Sequence, residues 1–314
     1  MLPINRIICG DCLIELPKIE SGSVDMICVD PPYGTVKGTG LDGWGNDKVG
    51  WDIKIDHELM LSECNRILRM NGALIVFCQD PYTGKLMTQT HGNLPFSYRL
   101  VWFKDHFANS LIAKKAPVNY TEDICVFFKK YDTLNQHPLR NYSKQILEFI
   151  GESYSRINLE LGHKKAEHFL YRNGSTQFAL CKEKTYNELI DIFNIDKMQG
   201  YKKYAELVYI NRTFNRTFNL PEGAKFKSNV LKYKKDYNGF HPTQKPIDLM
   251  SDLIKTYSNV GDLVLDFTFG SGTTLVAAKN LGRRYIGIEI SESYCRICEE
   301  RLSQQVLDFN EGKP

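Results

Sequence analysis

Leu265-Asp266-Phe267-Thr268-Phe269-Gly270-Ser271-Gly272-Thr273-Thr274 passes from an apolar run through two glycines into a helix-forming stretch. Its periodicity predicts a buried strand over 263–266, a turn at Gly270 and Gly272, and a helix over 273–280. A strand that turns through glycines into a helix N-terminus suits a nucleotide-like ligand, because polar groups can approach the backbone closely there. The next strand, predicted at 285–288, ends at Glu289 and is followed by a last helix.

Upstream, the apolar run Val24-Asp25-Met26-Ile27-Cys28-Val29 ends in Asp30-Pro31-Pro32-Tyr33, which sets a carboxylate, two rigid prolines and an aromatic ring at the end of a buried strand. Further strands are predicted at 6–9, 73–77, 98–103 and 124–128. Helices fill the gaps, notably 57–70, which Asn71-Gly72 would close as a C-cap. The pattern breaks after Lys130 and resumes at Pro246 with an amphipathic helix to about Ser258. Alternating strands and helices imply a mostly parallel sheet covered on both faces, with ligands at the strands' carboxyl ends. The two end segments read as halves of one domain.

Of the 314 residues, 42% are apolar and 25% charged, ordinary values for a globular chain that can bury one large α/β core plus a smaller module. No run reaches the roughly 20 apolar residues of a membrane span, and Met1-Leu2-Pro3-Ile4-Asn5-Arg6 has no apolar signal core, so a cytoplasmic protein is expected. The net charge is +3, but residues 196–245 hold eleven Lys/Arg against four Asp/Glu, an excess of seven positive charges that leaves the remainder at −4. An anionic partner is expected there. Nine cysteines, an odd number, suggest reduced thiols. The pairs Cys9/Cys12 and Cys295/Cys298 lack the Gly/Pro-rich knuckles of zinc sites, so they read as small buried side chains and no metal is expected.

The pair of signatures, in this order, resembles the β-group amino-methyltransferases of DNA, the Asp-Pro-Pro-Tyr type. His241-Pro242-Thr243-Gln244-Lys245-Pro246 strengthens the match, being close to that family's segment before the cofactor-binding strand. The resemblance covers about 6–130 and 241–302 and implies a Rossmann-like methyltransferase fold with a mixed, mostly parallel sheet in permuted order. It implies a catalytic half over 1–130, a mostly helical target recognition domain over 131–240, and a half over 241–314 that binds S-adenosylmethionine. The cofactor contacts would be Asp266 to Thr273, namely Asp266, Phe267, Thr268, Phe269, Gly270, Ser271, Gly272 and Thr273, with Thr243 and Lys245 near the methionine carboxylate. Asp11 would lie near the adenine, Glu289 at the ribose hydroxyls, and Asp30 beside the methyl donor. Where the family commonly reads Asp-Pro-Phe-x-Gly-Ser-Gly, this chain has Phe267 for the proline and Thr268 for the phenylalanine, so Phe267 or Phe269 is expected to supply the aromatic contact.

The implied reaction is methylation of an exocyclic base nitrogen in double-stranded DNA. Such a nitrogen is a poor nucleophile because its lone pair is delocalised into the ring. Asp30 accepting one N–H and the Pro31 carbonyl accepting the other would localise that pair and stabilise the developing positive charge. Pro31 and Pro32 hold the backbone rigid, and Tyr33 would stack on the base. Reaching the nitrogen requires base flipping. Residues 34–51, with six glycines and two tryptophans, read as a flap over the flipped nucleotide. Asp at the first motif position favours adenine N6 over cytosine N4, and the lack of any Pro-Cys dipeptide disfavours cytosine C5 chemistry.

Within the insertion, 142–198 reads as short helices, and 157–174 resembles a repressor-type helix-turn-helix with Gly162 in the turn. That would make Lys164, Lys165, His168 and Arg172 contacts to DNA. Arg212 and Arg216, from the repeated Asn-Arg-Thr-Phe, join them. A second copy of the chain and a cognate restriction endonuclease are the protein partners the resemblance suggests. Three other readings remain open: N4-cytosine methylation, methylation of RNA or a protein amide, and a regulator that binds DNA without catalysis.

Overall fold

A computed structural model describes residues 4–32, 55–108, 113–130, 137–175, 177–236 and 244–304. The chain divides into two units, Met1–Lys130 with Arg216–Pro314, and Tyr131–Asn215. In the first unit eight strands form one sheet: β1 (Arg6–Cys9), β2 (Val24–Val29), β3 (Leu68–Cys78), β4 (Phe96–Ala108), β5 (Asn119–Phe128), β6 (Val230–Lys232), β7 (Leu263–Asp266) and β8 (Arg284–Glu289). Their spatial order is β1-β8-β7-β2-β3-β5-β4-β6. The first five in that order run parallel, β5 is antiparallel to β3 and β4, and β6 is parallel to β4. The two ends of the chain meet at the centre, where Met26 and Ile27 pair with Val264 and Leu265.

Along the chain the helices are α1 (Cys12–Glu15), α2 (His57–Ile67), α3 (Tyr82–Thr88), α4 (Pro138–Ile150), α5 (Tyr154–Leu161), α6 (Glu167–Leu170), α7 (Glu183–Phe193), α8 (Tyr204–Phe214), α9 (Ile247–Tyr257), α10 (Thr273–Asn280) and α11 (Glu292–Ser303). Strand side chains alternate between faces, so each inner strand feeds two cores. Ile27, Val29, Leu74 and Val76 pack with Met60, Leu61, Cys64 and Ile67 of α2. Cys28, Ile75, Phe77 and Val126 pack with Leu249, Leu253, Ile254 and Tyr257 of α9. No helix among the described residues is long and apolar enough to cross a membrane.

Three local expectations change. The helix expected over 57–70 stops at Ile67, and Asn71-Gly72 lies within β3 instead of capping it. Asn71 takes φ 60°, the β2–β3 register shifts between Val24 and Met26, and a Cβ on Gly72 would stand 3.0 Å from the Asp25 carbonyl oxygen. The pair is therefore an irregularity in a strand pressed against its neighbour. Secondly, the segment from Arg216, which the sequence grouped with the insertion, packs in the first unit. There β6 pairs with β4, and Asn219 Nδ2 donates to the Lys255 and Ser258 carbonyls, both at 3.0 Å.

The third change concerns the second unit, whose helices enclose their own core of Leu139, Ile146, Ile157, Phe169, Tyr186, Leu189 and Leu207. Gly162 ends α5 at φ 71°, as a turn glycine should. The helix after it, α6, has only four residues, so a recognition helix able to lie along a groove is not formed. Phe169 and Leu170 bury, but the positions one turn further on are Asn173 and Gly174, which extend no apolar face and favour a stop.

Candidate active site

Parallel alignment of β1, β8, β7 and β2 brings Asp11, Glu289, Asp266 and Asp30 to one sheet edge. Asp11 caps α1, its Oδ1 accepting from the Leu13 N–H at 2.8 Å. Glu289 braces the glycine turn, with Oε2 accepting from the Gly270 N–H at 2.9 Å and Oε1 from the Ser291 N–H at 3.0 Å. Burial raises its pKa against the pull of backbone bonds from Ser291, Gly270 and Ile290, and the carboxylate's four acceptor sites still leave room for a ligand hydroxyl. Gly270 and Gly272 take φ 53° and 83°, a left-handed conformation that costs glycine little. Arg301 Nη1 holds the turn from α11, donating to the Ser271 carbonyl at 2.6 Å and to Thr273 Oγ1 at 3.2 Å. Ser271 Oγ in turn donates to Gln244 Oε1 at 2.9 Å.

Asp266 is buried, accepting from the Thr268 N–H at 3.1 Å and from Thr274 Oγ1 at 2.5 Å. Burial pushes its carboxyl up to about 7, against the pull of those two bonds. Thr268 Oγ1 donates to the Asp30 carbonyl at 3.0 Å, so the glycine turn is tied directly to the end of β2. Lys245 Nζ reaches Asp30 Oδ2 at 2.5 Å. Pro31 is buried and Pro32 half-buried.

The structure thus gathers Asp11, Asp30, Pro31, Pro32, Lys245, Asp266, Thr268, Gly270 to Thr273 and Glu289. Phe267 and Phe269 are 1% and 5% exposed, packed into the cores beneath α2 and α11, so neither presents the aromatic face expected of it. Thr268 serves instead as the link to Asp30. Tyr33, Thr243 and the 34–51 segment lie outside the described residues. Lys164, Lys165, His168 and Arg172 are exposed, with Arg172 paired to Glu167 at 2.8 Å. Arg212 ends α8. Arg216 stands 4.8 Å over the Phe128 ring and lines a cavity of about 500 Å³ with Tyr98, Phe218 and Tyr257. By strand register that cavity is at the end of the sheet away from Asp30. All nine cysteines are unbridged; Cys295 and Cys298 pack against Phe269 and Leu275. No group of three or more His, Cys, Asp and Glu among the described residues could hold a metal ion.

Sequence reasoning missed Lys104, Glu122, Gln244 and Arg301. A signal existed for the first two. On β4, Leu100, Trp102 and Lys104 share a face by period two, as do Glu122, Ile124 and Val126 on β5, so a charge is predicted to point into an apolar layer.

A family model described as DNA methylase, of the N6/N4 methyltransferases, matches residues 24–300. The DNA adenine methyltransferase YhdJ of Escherichia coli strain K12 is 28% identical over 302 residues, covering 95% of this chain and 82% of that protein. The crystal structure of the M1.HpyAVI–SAM complex superposes with a TM-score of 0.55 at 17% identity, over 95% of this chain and 99% of that one. The cytosine-N4-specific PvuII DNA methyltransferase superposes with a TM-score of 0.53 at 15% identity, over 96% and 88%. At those identities both structures speak for the fold alone.

Proposed function

The chain belongs to the DNA methylase family of N6/N4 amino-methyltransferases and uses S-adenosylmethionine, and from that premise we propose that it methylates adenine at N6, in a nucleotide flipped out of duplex DNA. The observation that carries this reading is Asp30, held at the sheet edge by Lys245 and Thr268 beside a glycine turn.

The residues fit the methyl donor: left-handed glycines open the N-terminus of α10, and carboxylates end the adjoining parallel strands. Gly270 to Thr273 would face its methionine end, Glu289 its ribose and Asp11 its adenine. When bound it supplies an electrophilic methyl group on a sulfonium. The protein's part is to prepare the nucleophile. Asp30 accepts one N–H of the exocyclic amine and the Pro31 carbonyl accepts the other, which localises the nitrogen lone pair and stabilises the positive charge that arrives with the methyl group. Tyr33 stacks on the base, and the exposed cations Lys164, Lys165 and Arg212 contact the DNA backbone.

Incubation with labelled S-adenosylmethionine and unmethylated genomic DNA, followed by digestion to nucleosides and mass spectrometry, tests this. Label in N6-methyladenine is the expected result, and label in N4-methylcytosine overturns the base assignment. Asp30→Ala should lower the rate by about 10³ or more while retaining DNA binding.

A further inference from the structure

Behind the reacting edge lie two buried charges that the chemistry above does not use. Lys104 on β4 and Glu122 on β5 are each 6% exposed. Glu122 Oε2 accepts from Lys104 Nζ at 2.8 Å, and its Oε1 accepts from Lys245 Nζ at 2.9 Å. Lys245 continues to Asp30 Oδ2 at 2.5 Å. Positive and negative groups alternate along this row, which joins β4, β5, the segment before α9 and the end of β2. Its walls are apolar: Lys104 lies 5.0 Å over the Trp102 ring and Lys245 lies 5.0 Å over Phe77.

Buried ion pairs are poor stabilisers, because apolar side chains of similar volume usually serve the fold as well or better. A row of them ending on the one carboxylate assigned to the reacting amine therefore asks for a role in the reaction. Burial opposes charge on Glu122, but Lys245 and Lys104 hold its carboxyl below the ordinary range. Burial likewise opposes charge on Lys245, but Asp30 and Glu122 hold its ammonium pKa above the ordinary value. Both stay ionised around neutrality. A lone ammonium on Asp30 would offset its charge just where positive charge must develop on the amine. Glu122, on the far side of that ammonium, restores the balance.

We propose that Glu122, itself held by Lys104, is a positioning residue for methyl transfer: it fixes the Lys245 ammonium on Asp30 Oδ2 and offsets its charge, so that the Asp30 carboxylate keeps its orientation and its negative field toward the amine. The proposal rests on the reading of Asp30 as the acceptor for that amine.

Glu122→Gln, which keeps the shape and removes the charge, should lower kcat on the order of tenfold to a hundredfold, the usual cost of losing an outer partner of a reacting group. KM for S-adenosylmethionine and for DNA should stay within about twofold. Glu122→Asp should recover part of the loss, and Lys104→Met should lose less than Glu122→Gln. Adding Glu122→Gln to Lys245→Met should cost nothing beyond Lys245→Met, since both act through one ammonium. A direct readout of position is competitive acetylation of the full chain followed by mass spectrometry. Lys245 should be protected in wild type and reactive in Glu122→Gln. Wild-type kcat in a folded Glu122→Gln overturns the proposal, as does a lower kcat that tracks a lower Tm with Lys245 still protected. If the wild type methylates neither base, the reading of Asp30 fails separately. The acetylation then decides alone: unchanged protection overturns the fixing of Lys245, and lost protection upholds it.

Discussion

At the scale of single residues, Asp266 shows what burial does to a carboxylate that two hydrogen bonds only partly compensate. Its pKa is raised from an ordinary 3.8 to about 7, so between those values the folded protein holds a proton that the unfolded chain releases. The contribution of Asp266 to stability therefore declines as pH rises from about 4 to about 7 and levels off above that. Asp266→Asn keeps an acceptor for the Thr268 N–H and removes the titration. Relative to wild type the variant should gain on the order of 2–4 kcal/mol between pH 4 and pH 8. Urea denaturation across that range measures it, and parallel stability curves would refute the assignment. The importance of Asp266 could be read at the end of its strand. The tie made by Thr268 could not be read there, because a hydroxyl reaching the Asp30 carbonyl is not visible in a local motif.

At the scale of elements, the turn between β7 and α10 depends on α11. A Cβ on Gly272 would stand 2.1 Å from Cys298 Sγ and 2.9 Å from its Cβ, on a backbone already at φ 83°. Gly272→Ala should thus destabilise the protein by roughly 2–4 kcal/mol, combining left-handed strain with overpacking. Thermal unfolding gives the stability loss, and titration with S-adenosylmethionine should show weakened binding. Cys298→Ala added to it should relieve the clash with sulfur and leave the strain. An unchanged Tm in Gly272→Ala would mean that α11 yields freely. The glycine was legible because turn chemistry is local, whereas Cys298 had looked like half of a CxxC pair. Asn71-Gly72 shows the converse, since its cap-like sequence was overridden by strand pairing across β2 and β3.

At the scale of the whole molecule, the basic excess over 196–245 falls in both units, and the cations expected on DNA do not act alike. Lys164 and Lys165 are exposed on the second unit, while Arg216 sits over Phe128 in the first. Replacing Lys164 and Lys165 with alanine should reduce the slope of log K against log salt for DNA binding by about 2, near 0.9 per phosphate contact, without changing which base is methylated. An unaltered slope would remove this pair from the interface.

Local pattern alone determined the β/α alternation, the acids at strand ends and the glycine turn. Periodicity and turn preference act over a few residues, and these features are no longer than that. Tertiary structure decided what those residues touch. Lys245 meets Asp30 across 215 positions of sequence, and Glu122 becomes part of the site only because β5 folds back beside β3. It also decided that Arg216 joins the far end of the sheet. Charges buried in an apolar layer must find partners, and chain topology chooses which partners are within reach.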